Sequence, residues 1–168
     1  MLLKPFAFLL ALALLPLALL AQKDLQPQGI HYFYNSGWLV ETSRHLLLFD
    51  FVPNKEAGVG FADLQRQWQV SSQNKQVIVF ISHDHPDHFN DSTFTLQQGP
   101  KNIRYILGWK PKSLPAVQSL SALSPGDSLV EKALTVYTHP ATDDGSAFLV
   151  KVDGLTLYHA GDHAFWVE

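Results

Sequence analysis

Short apolar runs recur along the chain from residue 30 onward, and polar or glycine-containing segments separate them. Runs of this length that are rich in β-branched, aromatic and aliphatic residues are typical of β-strands. The pattern predicts strands over 30–34, 38–41, 46–51, 77–81, 103–107, 134–138, 147–152 and 155–158. The sequence is therefore strand-rich.

Two of the gaps between these runs are short enough for β-hairpins. Asn35-Ser36-Gly37 separates the first two runs, and Asp153-Gly154 separates the last two. Asp-Gly is a strong signal for a two-residue hairpin turn, because both positions tolerate a positive φ. We expect antiparallel pairing across both turns.

Helix signals are fewer. Phe61, Leu64 and Trp68 recur at helical spacing within 61–70. A second helix is predicted over 91–98, with Asn90 or Asp91 as its N-cap. We find no repeat and no long linker after residue 22, so the pattern predicts one layered domain of the α/β or α+β class.

Composition narrows the function classes. The chain has 168 residues, of which 46% are hydrophobic and 16% are charged, which favours one globular domain over a disordered chain. Its net charge of -3 leaves no basic stripe, so nucleic-acid binding is not expected. Cysteine is absent, and any metal must therefore be held by His, Asp or Glu.

The first 21 residues resemble a targeting segment. Lys4 precedes an uninterrupted apolar run over 6–15, and Pro16 follows before the small residue Ala21. This order predicts a signal peptide over 1–21 and an exported mature domain over 22–168, either periplasmic or secreted. The alternative is a retained membrane anchor, since 5–21 reaches the lower limit of about 17 residues for a spanning helix.

The candidate chemistry is concentrated directly after the all-apolar run 77–81. Three of the eight histidines, His83, His85 and His88, fall within six positions. Two residues that are two apart on an extended segment point the same way, so His83 and His85 can bind one ion. Asp87 and His88 follow on the next turn, where they can face a second ion. Imidazole and carboxylate ligands suit zinc, iron or manganese.

The stretch His83-Asp84-His85-Pro86-Asp87-His88 resembles the metal-binding signature of the metallo-β-lactamase superfamily. Two further landmarks are similar to that family and stand in the same order: the run 46–50, which ends in Asp50, and the run 157–162, which ends in Gly-Asp. The resemblance covers about residues 30–168. It implies a four-layer αβ/βα sandwich with a hydrolytic metal centre at the edge of the sheets.

The resemblance also implies roles for individual residues. His83 and His85 would bind the first ion, Asp87 and His88 the second, and Asp162 would bridge both. A hydroxide between the metals would be the nucleophile, and Asp87 or Asp162 would act as the catalytic acid or base. We expect Zn²⁺ as the cofactor, as one or two ions, with iron or manganese as alternatives.

The stretch before Gly145-Ser146 departs from the family pattern. Members usually carry a His shortly before a Gly-Ser pair, and here that offset falls on Thr142. His139 lies three residues earlier in a loop that is expected after the strand 134–138, and we predict it as a metal ligand. The alternative is that Asp143 or water fills the position.

The chain ends at Glu168, six residues after Asp162. Similar proteins continue with further strands and a final His for the second metal. We therefore expect either a truncated product or pairing with a second copy as a homodimer, and a second metal site that is weaker than the first unless His163 substitutes.

Three functions compete at this stage. The sequence favours a metal-dependent hydrolase of a small ester, lactone, amide or phosphodiester. The alternatives are a metal-binding protein of the same fold without turnover and a di-iron redox module. No feature of the sequence selects the substrate.

Overall fold

The computed structural model describes residues 27–71, 74–98 and 102–164. The predicted signal peptide over 1–21 lies outside these ranges. Among the residues described, no helix is long and apolar enough to cross a membrane.

The first sheet has six strands in the order β1-β2-β3-β4-β5-β6. β1, β2 and β3 pair antiparallel, whereas β3 to β6 pair parallel. The strands are β1 (Gly29–Tyr32), β2 (Trp38–Glu41), β3 (His45–Phe49), β4 (Gln76–Ile81), β5 (Ile103–Leu107) and β6 (Leu120–Ala122). The carboxyl ends of β3, β4 and β5 therefore meet at one edge of the sheet.

The second sheet has four antiparallel strands in the order β10-β9-β8-β7. They are β7 (Ser128–Glu131), β8 (Leu134–Pro140), β9 (Ser146–Val152) and β10 (Leu155–His159). The Asp153-Gly154 turn joins the last two strands with positive φ angles of 50° and 80°, and the predicted hairpin is confirmed. The Asn35-Ser36-Gly37 hairpin is also confirmed, since β1 pairs with β2.

Two hydrophobic cores lie on the two faces of the first sheet, and β4 supplies both of them. Val77, Val79 and Ile81 pack into the core that also contains Leu64 and Trp68 of helix α1 (Phe61–Ser71). Ile78 and Phe80 point the other way and pack against the second sheet, whose contribution is Leu134, Val136, Phe148, Val150 and Val152. This alternation explains why 77–81 carries no polar residue: both faces of the strand are buried. Helix, sheet and sheet form three layers of the expected α/β sandwich, and the fourth layer of the implied αβ/βα arrangement is not among the described residues.

Three sequence-based assignments need correction. The segment Asp91–Gln98 is a 3₁₀ helix and not an α-helix; Asn90 caps it as predicted, through a bond from Ser92 N to its side-chain oxygen. The strands β6 and β7 were not predicted. β6 has three residues and β7 is mostly exposed, so neither carries a strong apolar pattern.

Candidate metal centre

The loop after β4 carries the histidine cluster. His83 and His88 are buried, with 2% and 1% of their surface exposed, whereas His85 and Asp87 are exposed. The backbone of the loop curls back, because His88 N and Phe89 N both donate to His85 O. This turn brings His88 close to His83, with ring centroids 4.2 Å apart.

Four side chains from three loops converge at this edge. His83, His85, Asp143 and Asp162 each offer a nitrogen or oxygen atom, and these atoms all lie within 4.8 Å of one another. Asp162 Oδ2 lies 3.7 Å from His83 Nε2, and Asp143 Oδ2 lies 3.2 Å from His85 Nδ1. Such a set of two imidazoles and two carboxylates can hold one divalent ion.

Asp162 also reaches the other side of the cluster. Its Oδ1 atom lies 2.9 Å from His88 Nε2, and Asp87 Oδ2 lies 3.6 Å from the same nitrogen. The two oxygens of Asp162 therefore face different histidines. A carboxylate in this position can be shared between two ions.

Two buried nitrogens in the cluster lack hydrogen-bond partners. Among the described residues, His83 Nε2 and His88 Nε2 are buried without one, even though each has a carboxylate nearby. Their other ring nitrogens are held, since His83 Nδ1 lies 2.9 Å from Ser82 Oγ and His88 Nδ1 lies 2.8 Å from Asp50 Oδ2. An imidazole fixed through one nitrogen and open at the other is the arrangement of a metal ligand. The residues therefore fit a metal ion.

The buried carboxylate of Asp50 holds Ser82 and His88 in place. Asp50 follows β3, and its carboxylate accepts hydrogen bonds from Ser82 N and Ser82 Oγ, both at 2.7 Å. It also faces His159 Nε2 at 2.7 Å. Burial by itself would raise the pKa of Asp50, but the hydrogen bonds with His159 and His88 outweigh this and lower the pKa to about 2. Asp50 is therefore a fixed negative charge under the site.

The two buried histidines differ in proton affinity. Burial lowers the pKa of His83, and the neighbouring His88 lowers it further. Burial also opposes the charge on His88, but its bond with Asp50 outweighs that effect and raises its pKa. His88 therefore holds a proton more strongly than His83 does.

The loop between β8 and β9 is pressed against the histidine loop. A Cβ atom on Gly145 would lie 2.4 Å from the Cβ of His83 and 2.6 Å from Ser82 O. Only glycine allows this approach. The hydrogen bond from Ser146 N to Ser82 O, 3.1 Å long, joins the same two segments.

The structure does not bring His139 to this group. β8 continues past the predicted end at residue 138, and His139 pairs with Ala147 as part of the strand. Since Thr138 is buried, the alternation of a strand turns His139 to the opposite, exposed face. His163 and Asp84 are also exposed and lie outside the four-residue group.

Two further histidines, His159 and His45, each contact an aspartate and lie outside the four-residue group. His159 bonds to Asp50, and His45 bonds to Asp153 at 2.9 Å. The sequence alone does not identify Ser82 or Asn35 as supporting residues of the site. Asn35 donates to Asp87 O at 3.1 Å from a position 52 residues away, and no local pattern signals such a contact.

The comparison with protein families agrees with this geometry. A family described as the beta-lactamase superfamily domain matches residues 29–166. The chain belongs to this family. The resemblance to the metallo-β-lactamase superfamily that the histidine motif suggested is thereby confirmed.

Three proteins to which this beta-lactamase superfamily chain is similar share 28% or less of its sequence. A UPF0173 metal-dependent hydrolase of Saccharolobus solfataricus is 28% identical over 100 residues, which are 54% of this chain and 44% of that protein. Igni18, a metallo hydrolase from Ignicoccus hospitalis, superposes with a TM-score of 0.59 at 18% identity, covering 82% of this chain and 61% of that one. CmlA, a diiron beta-hydroxylase from Streptomyces venezuelae, superposes with a TM-score of 0.52 at 13% identity. The match covers 79% of this chain and 29% of that one. The chain thus spans less than two thirds of each relative's length, and the two structures share its fold.

Proposed function

We propose that this chain is a metal-dependent hydrolase that acts on a small ester, lactone, amide or phosphodiester. The observation that carries the proposal is the pair of buried Nε2 atoms on His83 and His88, which have no hydrogen-bond partner in the described part of the chain and which both face Asp162. Burying two imidazole nitrogens without hydrogen bonds is costly unless a ligand satisfies them. Membership of the beta-lactamase superfamily supports the same reading.

The donor set defines where the ions would bind. His83, His85 and Asp162 would hold the first ion, and Asp87, His88 and Asp162 the second. We propose Zn²⁺, with iron or manganese as the alternatives that nitrogen and oxygen donors also accept. When bound, such an ion polarises the substrate oxygen and lowers the pKa of water from 15.7 to about 7.

The exposed carboxylates are the groups that can move protons. The side chains of Asp87 and Asp162 are 61% and 38% exposed, so a substrate can reach them. His83 and His88 are buried and can serve only as fixed ligands. We assign proton transfer to Asp87 and Asp162, and the orientation of His88 to Asp50.

The test is a metal assay combined with a panel of chromogenic esters and phosphodiesters. His85→Ala should remove most of the bound metal and the activity, because its imidazole belongs to the ligand group. His31→Ala, on β1, is the matched control and should change neither. A His85→Ala protein with full metal content would contradict the assignment.

The same assay separates the alternatives. Zinc binding without turnover on any substrate would favour a metal-binding protein of this fold. A coloured protein that purifies with iron would favour the di-iron redox module. Either result would replace the hydrolase proposal.

Export is a second part of the proposal, supported by Lys4 and the apolar run 6–15. Mass spectrometry of the protein from its native host should find a mature chain that begins near Gln22. An intact Met1 would favour the membrane anchor.

Self-association is a third part. Its support is the exposed apolar face of the first hairpin, where Ile30, Tyr32 and Trp38 are 56%, 56% and 39% exposed. These residues share the face of Val40, which packs between the sheets. At the edge of the second sheet, β10 carries no Lys, Arg, Asp or Glu. An uncharged edge strand beside an apolar face favours pairing with a second copy. Sedimentation should find a dimer, and a stable monomer would contradict it.

A further inference from the structure

We propose that Asp143 is a metal-binding residue and that it occupies the ligand position that the sequence alone suggested for His139. The inference rests on the proposed function, because it assumes that the histidine cluster binds a metal. It adds Asp143 to His83, His85 and Asp162, so that two imidazoles and two carboxylates would hold the first ion, where the sequence alone suggested three imidazoles and one carboxylate.

The position of Asp143 is the first argument. Its Oδ2 atom lies 3.2 Å from His85 Nδ1, and the ligand atoms of the whole group lie within 4.8 Å of one another. Ligands of one ion must approach each other to about this distance, since each bond to a transition metal is about 2.0–2.3 Å long. The side chain of Asp143 is 38% exposed, so it can adjust to an ion.

The backbone around Asp143 is the second argument. On its amino side, Thr142 N donates to Asp162 O at 2.8 Å. On its carboxyl side, Gly145 packs directly against the Cβ of His83. The residues that flank Asp143 are therefore tied to two other members of the group, and Asp143 is held beside them by contacts that do not involve its own side chain.

An ordinary Asp-His ion pair does not account for the whole arrangement. Pairing with Asp143 would satisfy the exposed His85, but it would leave His83 Nε2 buried and without a hydrogen-bond partner. That nitrogen belongs to the same group and is 3.7 Å from Asp162 Oδ2. An ion held by all four side chains satisfies His83 and explains why two carboxylates converge on two histidines.

The neighbouring residues provide the controls. Asp144 is adjacent to Asp143 and exposed, but it does not belong to the group. His139 is exposed on β8 and paired with Ala147. One residue controls for the loss of a charge in the same loop, and the other is the rival ligand.

The experiment titrates Zn²⁺ into protein freed of metal by a chelator and measures the affinity by calorimetry. Asp143→Asn, which preserves the shape of the side chain, should weaken the tighter site by at least about ten-fold, the lower end of what even supporting residues of metal sites contribute. Asp144→Asn and His139→Ala should each stay within about two-fold of the unmodified chain. An unchanged affinity in Asp143→Asn, or an equal loss in His139→Ala, would overturn the inference.

A second measurement does not depend on the folding of the Asp143 variant. X-ray absorption of the zinc-loaded chain counts imidazole ligands through their ring scattering, and that count should be identical in the unmodified chain and in His139→Ala. A lower number of imidazole ligands in His139→Ala would contradict the assignment of Asp143. If the unmodified chain binds no metal at all, the proposed function fails first, and this inference fails with it.

Discussion

Two aspartates whose side chains are buried lie at opposite ends of β3 and look alike in isolation. Asp50 follows the last residue of the strand, and Asp153 contacts His45 at its first residue. Both have a positive φ, 41° and 50°, and both contact histidine. Hydrogen bonds lower the pKa of each carboxylate in spite of its burial.

Their partners differ in what they connect. Asp153 sits in the turn between β9 and β10 and accepts bonds from Thr42 Oγ1 at 2.7 Å and Arg44 N at 3.0 Å. It therefore fastens the second sheet to the turn before β3. Asp50 accepts from Ser82 and faces His88, so it holds side chains of the histidine loop.

The comparison shows how a structural His-Asp pair differs from one that supports a site. In the described residues His45 has no buried nitrogen without a partner, whereas His88 retains Nε2 in that state, directed at Asp162. The same kind of contact thus closes a turn at one end of β3 and orients His88, a candidate metal ligand, at the other. The second ring nitrogen of His88, which is buried without a hydrogen bond, makes the difference.

The largest effect is expected for Asp50→Asn. The variant replaces a buried carboxylate that faces two histidines, and breaking a buried pair of this kind costs about 3 kcal/mol. Metal affinity should also fall by about 10–100-fold, because His88 loses the partner that orients it. Chemical denaturation and zinc titration measure the two effects, and unchanged metal affinity would show that Asp50 serves only stability.

Asp153→Asn should be the next most disruptive variant, but in stability alone. Hydrogen bonds to charged groups contribute about 1.5–3 kcal/mol, and the variant should lose about 2 kcal/mol of unfolding free energy. Metal affinity should stay within about two-fold, since Asp153 contacts no residue of the metal group. A large loss of metal would break the comparison by linking the two ends of β3.

The stability difference between the unmodified chain and Asp153→Asn should depend on pH. Burial opposes the charge on Asp153, but bonds with Thr42, His45 and Arg44 lower its pKa well below its ordinary value of 3.8. The ionised carboxylate therefore stabilises the fold above about pH 4, and this contribution is lost as the pH falls through and below that value. Denaturation at pH 7 and at pH 3 should show the difference narrowing in acid; a constant difference would mean that the charge is not the cause.

The smallest effect is expected for Asn35→Gly, which tests the support of Asp87. Glycine tolerates the φ of 48° at this turn, so the substitution removes the amide without straining the backbone. One exposed hydrogen bond contributes about 0.5 kcal/mol, so the metal affinity of the weaker site, which includes Asp87, should fall about two-fold. Ser36→Gly is the control in the same turn and should match the unmodified chain.

Local pattern determined much of the fold. The all-apolar run in β4 indicated a strand that is buried on both faces, and the turn residues Asn35 and Asp153 marked both hairpins. Spacing along one loop was enough to predict that His83, His85 and His88 lie together. These features depend on neighbours in sequence, so one sequence suffices to predict them.

The family resemblance predicts Asp162, but tertiary structure decided which other carboxylates join the histidines. Asp50, Asp143 and Asp162 come from the end of β3, the loop between β8 and β9, and the segment after β10, and only the packing of the two sheets brings them to one edge. The strand register determines the position of His139. Because it pairs with Ala147, it remains in β8 and its side chain is turned away from the site. Side chains alternate along a strand, so continued pairing beyond residue 138 fixes the face that His139 occupies, and that pairing depends on the partner strand.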